Sequence, residues 1–224
     1  MSAILDALRA VADPASVTEK ARYHKTELPV IGATNPEIDA AVRAWQTDQS
    51  IAARLAEAEA LWHSGIFEAR IAAGKLLTKA RFKTHEGEIW ERLASWVPEF
   101  DCWAVADHTS SALGRRIMAD LSRMDAVEAW TRADRLWTKR AALIATLPLA
   151  KLPHPKPAEA EARQRVLGWA AGYAEDHRWF IQKAIGWWLR DLSKHAPDET
   201  RAFVAEHGAR MKAFARREAL RKLA

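Results

Sequence analysis

Helix-forming segments follow one another along almost the whole of this 224-residue chain, and nothing in it reads as a strand. Ala, Leu, Glu, Arg and Lys dominate between the breakers, and no segment alternates apolar and polar residues long enough to pair in a sheet. Asp13-Pro14 and Asn35-Pro36 each put a capping side chain before a proline suited to the first helical position. The pattern predicts helices near residues 2–12, 14–26, 36–46, 50–63, 66–81, 85–97, 101–120, 124–131, 134–147, 158–175, 178–195, 198–207 and 209–222. The expected fold class is therefore all-α. Short helices, mostly paired through short turns, fit an α-solenoid of HEAT-like helical repeats better than a four-helix bundle. An irregular globular helical fold is the alternative. The one long connector, Pro148 to Pro157 (PLAKLPHPKP), is expected to run as an extended loop because its prolines oppose helix. The helical pattern resumes unchanged beyond it, so residues 1–224 are expected to form one repeat domain with the connector inside it.

Composition narrows the class further. At 49% hydrophobic and 28% charged residues, the chain is neither a disordered tail nor a membrane protein. No stretch approaches the roughly 18 uninterrupted apolar residues of a membrane span. The amino terminus, MSAILDALRAVADP, meets Asp6 and Arg9 before a signal-type apolar core can form, and a cytosolic chain is expected. A single cysteine, Cys102, excludes an internal disulfide framework and a cysteine-cluster zinc site.

Two features are unusual. Eleven tryptophans against two tyrosines are more than a core of this size needs. The net charge of +5 is also gathered at one end: residues 201–224 hold seven Lys/Arg against Glu206 and Glu218, while the first 200 residues balance at 27 of each sign. A basic end of this kind suits a polyanion, since clustered cations release counterions from a phosphate backbone. A solvated basic final helix is the plain alternative.

Helical-wheel arithmetic at about 100° per residue exposes the candidate site residues. In 178–195 the core stripe is Ile181, Ile185, Trp188, Leu189 and Leu192. Trp187 lies off that stripe, among Lys183, Arg190 and Lys194. An indole among three cations suits a surface that meets phosphates and a sugar or base, or else packs on a neighbouring repeat beneath the lysine stems. In the helix beginning near Asp101, the residues Cys102, Val105, Ala106, Thr109 and Leu113 form the buried side, with Trp103, Asp107, Ser110 and Gly114 opposite. Trp103 and Asp107 are four apart, so indole and carboxylate stand side by side, either as a functional pair or as a cap or ion pair beside a half-buried ring. Arg140, in LWTKRAALIA, shares a stripe with Leu136, Leu143 and Leu147, where a guanidinium needs an anion. That anion is either Asp107 or a phosphate.

These residues carry a resemblance. Residues 178–198, RWFIQKAIGWWLRDLSKHAPD, resemble the most characteristic block of the AlkD-like family of DNA alkylation repair glycosylases. LWTKRAALIAT resembles that family's arginine-bearing helix, and CWAVADHTSS matches its Trp-x-x-x-Asp element. Weaker similarity runs through residues 21–37 and 61–77, so the resemblance spans most of the chain. It implies a curved array of HEAT-like repeats with DNA in a concave face, Asp107 as the catalytic carboxylate, Trp103 and Trp187 as aromatic walls, and Arg140 holding the backbone at the lesion. Lys183, Arg190 and Lys194, with Arg210, Lys212, Arg216 and Arg217 of the basic end, are the expected DNA-binding cations. Two departures from the family pattern, Ala104 and Cys102, bear on local hydrogen bonding and lesion preference.

The activity so implied is that of a monofunctional alkylpurine DNA glycosylase of base excision repair. It would hydrolyse the N-glycosidic bond of positively charged N3- or N7-alkylated purines in double-stranded DNA, without deep base flipping. An alkylated purine is already a good leaving group, and a fixed carboxylate stabilises the oxocarbenium charge that grows on the sugar. Neither a metal nor an organic cofactor is required, and a monomer is expected. The competing readings are a non-catalytic HEAT-repeat DNA-binding protein and a protein-interaction scaffold.

Overall fold

The structure, a computed structural model, describes residues 2–78 and 81–223, and among them every regular element is a helix. The chain divides into two compact units, Met1–Arg116 and Ile117–Ala224, at the last turn of a long helix rather than at the proline-rich connector.

The first unit holds α1 (Ala3–Ala10), α2 (Val17–His24), α3 (Asn35–Gln46), α4 (Ile51–His63), α5 (Phe67–Leu76), α6 (Glu86–Trp96) and most of α7 (Trp103–Ala119). The Asp13 side chain accepts from the Ala15 amide, as its place before Pro14 suggests, although the turn it caps is a short 3-10 segment ahead of α2. At α3 the cap differs from expectation. Thr34, not Asn35, is the capping residue: the Glu37 carboxylate accepts from the Thr34 amide at 2.6 Å and from its hydroxyl at 2.7 Å. The core is built on Leu8, Leu61, Trp62, Leu76, Leu93 and Trp96, all fully buried or nearly so. Trp62 and Trp96 stack 4.4 Å apart, and the Trp62 indole N–H donates to Glu99 at 2.9 Å. Buried Glu68 accepts from the Gly32 amide at 2.8 Å and from the Ile31 amide at 3.1 Å, fastening the loop after α2 to α5. Gly32 adopts φ +94°, and a Cβ there would stand 2.1 Å from the Asp13 carbonyl oxygen, so only glycine fits.

The second unit holds α8 (Met124–Thr131), α9 (Leu136–Ala145), α10 (Leu147–Ala150), α11 (Pro157–Gly172), α12 (Trp179–Ser193), α13 (Pro197–His207) and α14 (Ala213–Leu220). Its centre is α12, which packs on α14, α9 and α13. The stripe Ile181, Ile185, Trp188, Leu189 and Leu192 is fully buried, as the wheel requires. The expectation of an extended loop from Pro148 to Pro157 is corrected here. Leu147–Ala150 is helical, because a proline in a first turn gives up an amide that has no intrahelical partner there. Only residues 151–156 are irregular, and buried Arg163 holds them by donating to the carbonyls of Leu149 at 3.0 Å and Leu152 at 2.6 Å.

The eleven tryptophans divide three ways. Trp62, Trp96 and Trp188 are core, Trp179 is exposed, and the other seven are half-buried.

Candidate functional site

In the first unit the site is set by α7. A Cβ at Gly74 of α5 would stand 2.9 Å from the Thr109 hydroxyl oxygen, so the absent side chain lets α7 sit directly on α5. Cys102, Val105, Ala106, Thr109 and Leu113 are all fully buried, as expected. Trp103 and Asp107 are half-exposed one turn apart. Ser110 and Gly114, expected on the same open face, are instead buried, and the exposed positions of α7 beyond Asp107 are Ser111, Arg115 and Ala119. A helical wheel gives the direction of a side chain but not what covers it, and packing closes over the later turns of α7.

Trp103 lies in an aromatic cluster whose other members are distant in sequence. The His24 imidazole lies 4.9 Å from it at 34°, Tyr23 meets its edge at 5.7 Å, and Phe67 lies 4.7 Å behind His24. The Trp103 indole N–H is directed at the Tyr23 carbonyl, 3.4 Å away. Tyr23 is 67% exposed and stands beside the indole as a further aromatic surface that sequence reading missed. Beside the cluster is a pocket of ≈ 360 Å³ lined by Lys20, His24, Phe67, Trp103 and His108, among others. Burial, reinforced by the charge of Lys75, pulls the His108 imidazole down to about 4 against the opposing pull of Asp107 and Asp39. Burial and Lys20 also lower His24. At neutral pH both imidazoles are therefore uncharged. Ala104 and Cys102 point into the core, and burial, with Asp101 nearby, pushes the Cys102 thiol up to about 12, which leaves it unreactive.

In the second unit, Arg140 on α9 is 2% exposed and donates to the Phe180 carbonyl in the first turn of α12 at 2.6 Å. Its guanidinium also lies over the Phe180 ring, 5.8 Å from the centroid. Further along α12, Trp187 is half-buried, with the Arg190 guanidinium 6.0 Å from its ring. Its indole N–H donates to Asp191 at 3.2 Å. Asp191, a residue sequence reading passed over, is 3% exposed and ringed by Lys194 at 3.0 Å, with Lys151 and Arg190 each at 3.5 Å. Burial alone would raise its carboxyl pKa, but the Lys194 bond and the surrounding charges outweigh that and lower it. Lys151 belongs to the proline-rich connector, which is thereby tied to the helix bearing Trp187.

All seven expected DNA-binding cations lie in the second unit. Lys183, Lys194, Arg210, Lys212, Arg216 and Arg217 are exposed, while Arg190 is half-buried and paired with Glu218. Arg210 is within 3.5 Å of Glu175 and Lys194 is engaged by Asp191, whereas Lys183 and Arg217 have no carboxylate partner among the described residues. No group of three or more His, Cys, Asp or Glu is placed to hold a metal ion among the described residues, and none of their helices is long and apolar enough to cross a membrane.

The described helices thus form a repeat protein that carries an indole beside a carboxylate on α7 and an indole beside cations on α12. The sequence pattern described as DNA alkylation repair enzyme matches residues 4–223, and the chain belongs to that family. Among solved structures, the chain is similar to a protein from Enterococcus faecalis described as a predicted DNA alkylation repair enzyme. That similarity has a TM-score of 0.75 at 22% identity over 95% of this chain and 97% of that one. It is also similar to AlkD2 from Streptococcus mutans, with a TM-score of 0.62 at 18% identity over 91% and 96%. These likenesses establish the all-α, HEAT-like repeat fold. Among curated proteins none matches the sequence.

Proposed function

We propose that this protein is a DNA glycosylase that releases positively charged N3- or N7-alkylated purines from duplex DNA by hydrolysing the N-glycosidic bond. The observation that carries the reading is the pair Trp103 and Asp107, half-exposed one turn apart at the open end of α7 in a member of the DNA alkylation repair family.

The alkylated base carries its positive charge before the bond breaks, so it leaves without a strong acid. As it departs, charge passes to the deoxyribose, and the Asp107 carboxylate stabilises that charge and orients the attacking water. The water oxygen bonds to the anomeric carbon, the bond electrons leave with the now neutral purine, and the water proton passes to Asp107 or to solvent. The Trp103 face beside Asp107 adds cation–π stabilisation of about 0.5–2 kcal/mol, and Trp187 on α12 is a further aromatic face for DNA. Neutral His24 and His108 beside Trp103 place no competing positive charge there. Because Arg140 is almost wholly buried, its role in this account is to hold α12, and with it Trp187, in place. The exposed cations of the second unit take the phosphates, giving salt-dependent affinity.

The test is release of free base from duplexes carrying N7-methylguanine or uracil. The protein is expected to release methylguanine and leave uracil, whose departure needs stabilisation of an anion that this site does not offer. Binding to alkylated duplex without release would instead identify a non-catalytic DNA-binding repeat protein.

A further inference from the structure

A second aromatic and cationic surface lies in the second unit, and its ledge of Trp179 and Phe214 has no part in the excision chemistry. Helices α12 and α14 meet closely at Gly186, where a Cβ would stand 2.9 Å from the Ala215 carbonyl oxygen. Beside that contact runs an open groove of ≈ 640 Å³. At one end Trp179, 48% exposed, stacks on Phe214 with centroids 5.9 Å apart and planes 29° from parallel. The Lys183 ammonium lies 4.6 Å from the Trp179 ring centroid, and exposed Arg217 lines the groove with it. The opposite end is closed by ion pairs, Glu218 taking both Arg190 and Arg221. The cations still open to a ligand are therefore Lys183 and Arg217, beside the aromatic ledge.

The order of side chains along α12 narrows the ligand. Trp179, Lys183 and Trp187 are spaced one turn apart, about 6 Å at 1.5 Å per residue. Indole, ammonium and indole thus succeed one another as base, phosphate and base do along an unpaired strand. A duplex keeps its base faces stacked and offers only phosphates, which would leave an exposed indole without a partner. An acidic peptide would satisfy the cations but has no planar faces for two aromatic ledges.

We propose that the groove between α12 and α14 is a binding site for an unpaired DNA strand, with one base stacked on Trp179 and Phe214 and the adjoining phosphate held by Lys183 and Arg217. The inference rests on the proposed function only in taking DNA as the polyanion.

The test is binding of the full chain to a short fluorescein-labelled deoxyadenosine oligonucleotide, compared with an undamaged hairpin duplex. The double variant Trp179→Ala/Phe214→Ala is expected to lose about tenfold or more of its affinity for the single strand. Its hairpin affinity and its release of N7-methylguanine from duplex should stay within about twofold of the parent. Trp179→Phe, which keeps a stacking face and cannot fail through loss of the ring, should retain single-strand binding within about threefold. Equal single-strand affinity of parent and double variant would overturn the proposal. So would competition by polyglutamate as effective as that by unlabelled oligonucleotide, which would mark a groove for acidic peptide. A parent protein that binds the single strand through Trp179 yet releases no methylated purine would refute the glycosylase reading and leave this one standing.

Discussion

The same four-residue spacing, tryptophan then aspartate one turn later, occurs on the principal helix of each unit, and the two pairs are physically opposite. Trp103 and Asp107 open α7 in the half-exposed zone, and the Trp103 indole N–H turns away from its neighbour to the Tyr23 carbonyl. Trp187 and Asp191 stand on α12, and there the indole N–H bonds to the carboxylate, which is 3% exposed and surrounded by Lys194, Lys151 and Arg190. One carboxylate, Asp107, is half-exposed beside a ring cluster. The other is already neutralised and serves to orient an indole. Spacing places two groups side by side, and what surrounds them makes Asp191 a strut and leaves Asp107 half-exposed.

Removing the strut should give the larger effect on stability. Asp191→Asn leaves several cations without their shared anion, and a cost of about 2 kcal/mol in unfolding free energy is expected. That is below the ~3–5 kcal/mol of a fully enclosed pair, because Lys151 and Lys194 still reach water. Denaturant unfolding measures it, and a loss near zero would dissolve the contrast between the two pairs.

Acid should act through the first unit. His108 titrates near 4 in the folded chain against 6.5 unfolded, so the unfolded state binds the proton first and stability falls as pH drops through that window. A loss on the order of 1–2 kcal/mol between about pH 6.5 and 4 is expected from this group. His108→Gln should lose less than the parent over the same range, and an unchanged pH profile of Tm would count against a neutral imidazole beside Trp103.

The smallest effect is expected at the connector. Lys151 is 54% exposed at its side chain and 3.5 Å from Asp191, so Lys151→Ala should cost less than about 1 kcal/mol and leave excision within about twofold. A larger loss would mean that residues 151–156 position Trp187 rather than merely touching its helix.

Much of the fold was legible because local signals coincide with it. The core stripe of α12 and the buried side of α7 fall where periodicity puts them, and α11 and α13 begin one residue before the expected 158 and 198, each at a proline outside the expected helix. Ser110 and Gly114 escaped because a wheel contains no neighbours. Tyr23 and His24 escaped because they reach Trp103 across some eighty residues of chain, a closeness that no spacing rule encodes. The block FIQKAIGW is also instructive. Its Phe180 carbonyl takes Arg140, its Gln182 amide donates to the Ala174 and Asp176 carbonyls, and its Gly186 admits α14. Most of that motif therefore encodes how α12 is packed, and only Lys183 and Trp187 within it are candidates for touching DNA in the excision reaction.

The account stands on Asp107 being the carboxylate that acts. Single-turnover release of N7-methylguanine from duplex DNA should fall at least about a hundredfold in Asp107→Asn, with affinity for the same duplex within about twofold of the parent. Asp191→Asn, assayed at a temperature where it remains folded, should keep most of its excision. Excision that survives in Asp107→Asn, or that vanishes only together with duplex binding, would contradict the assignment.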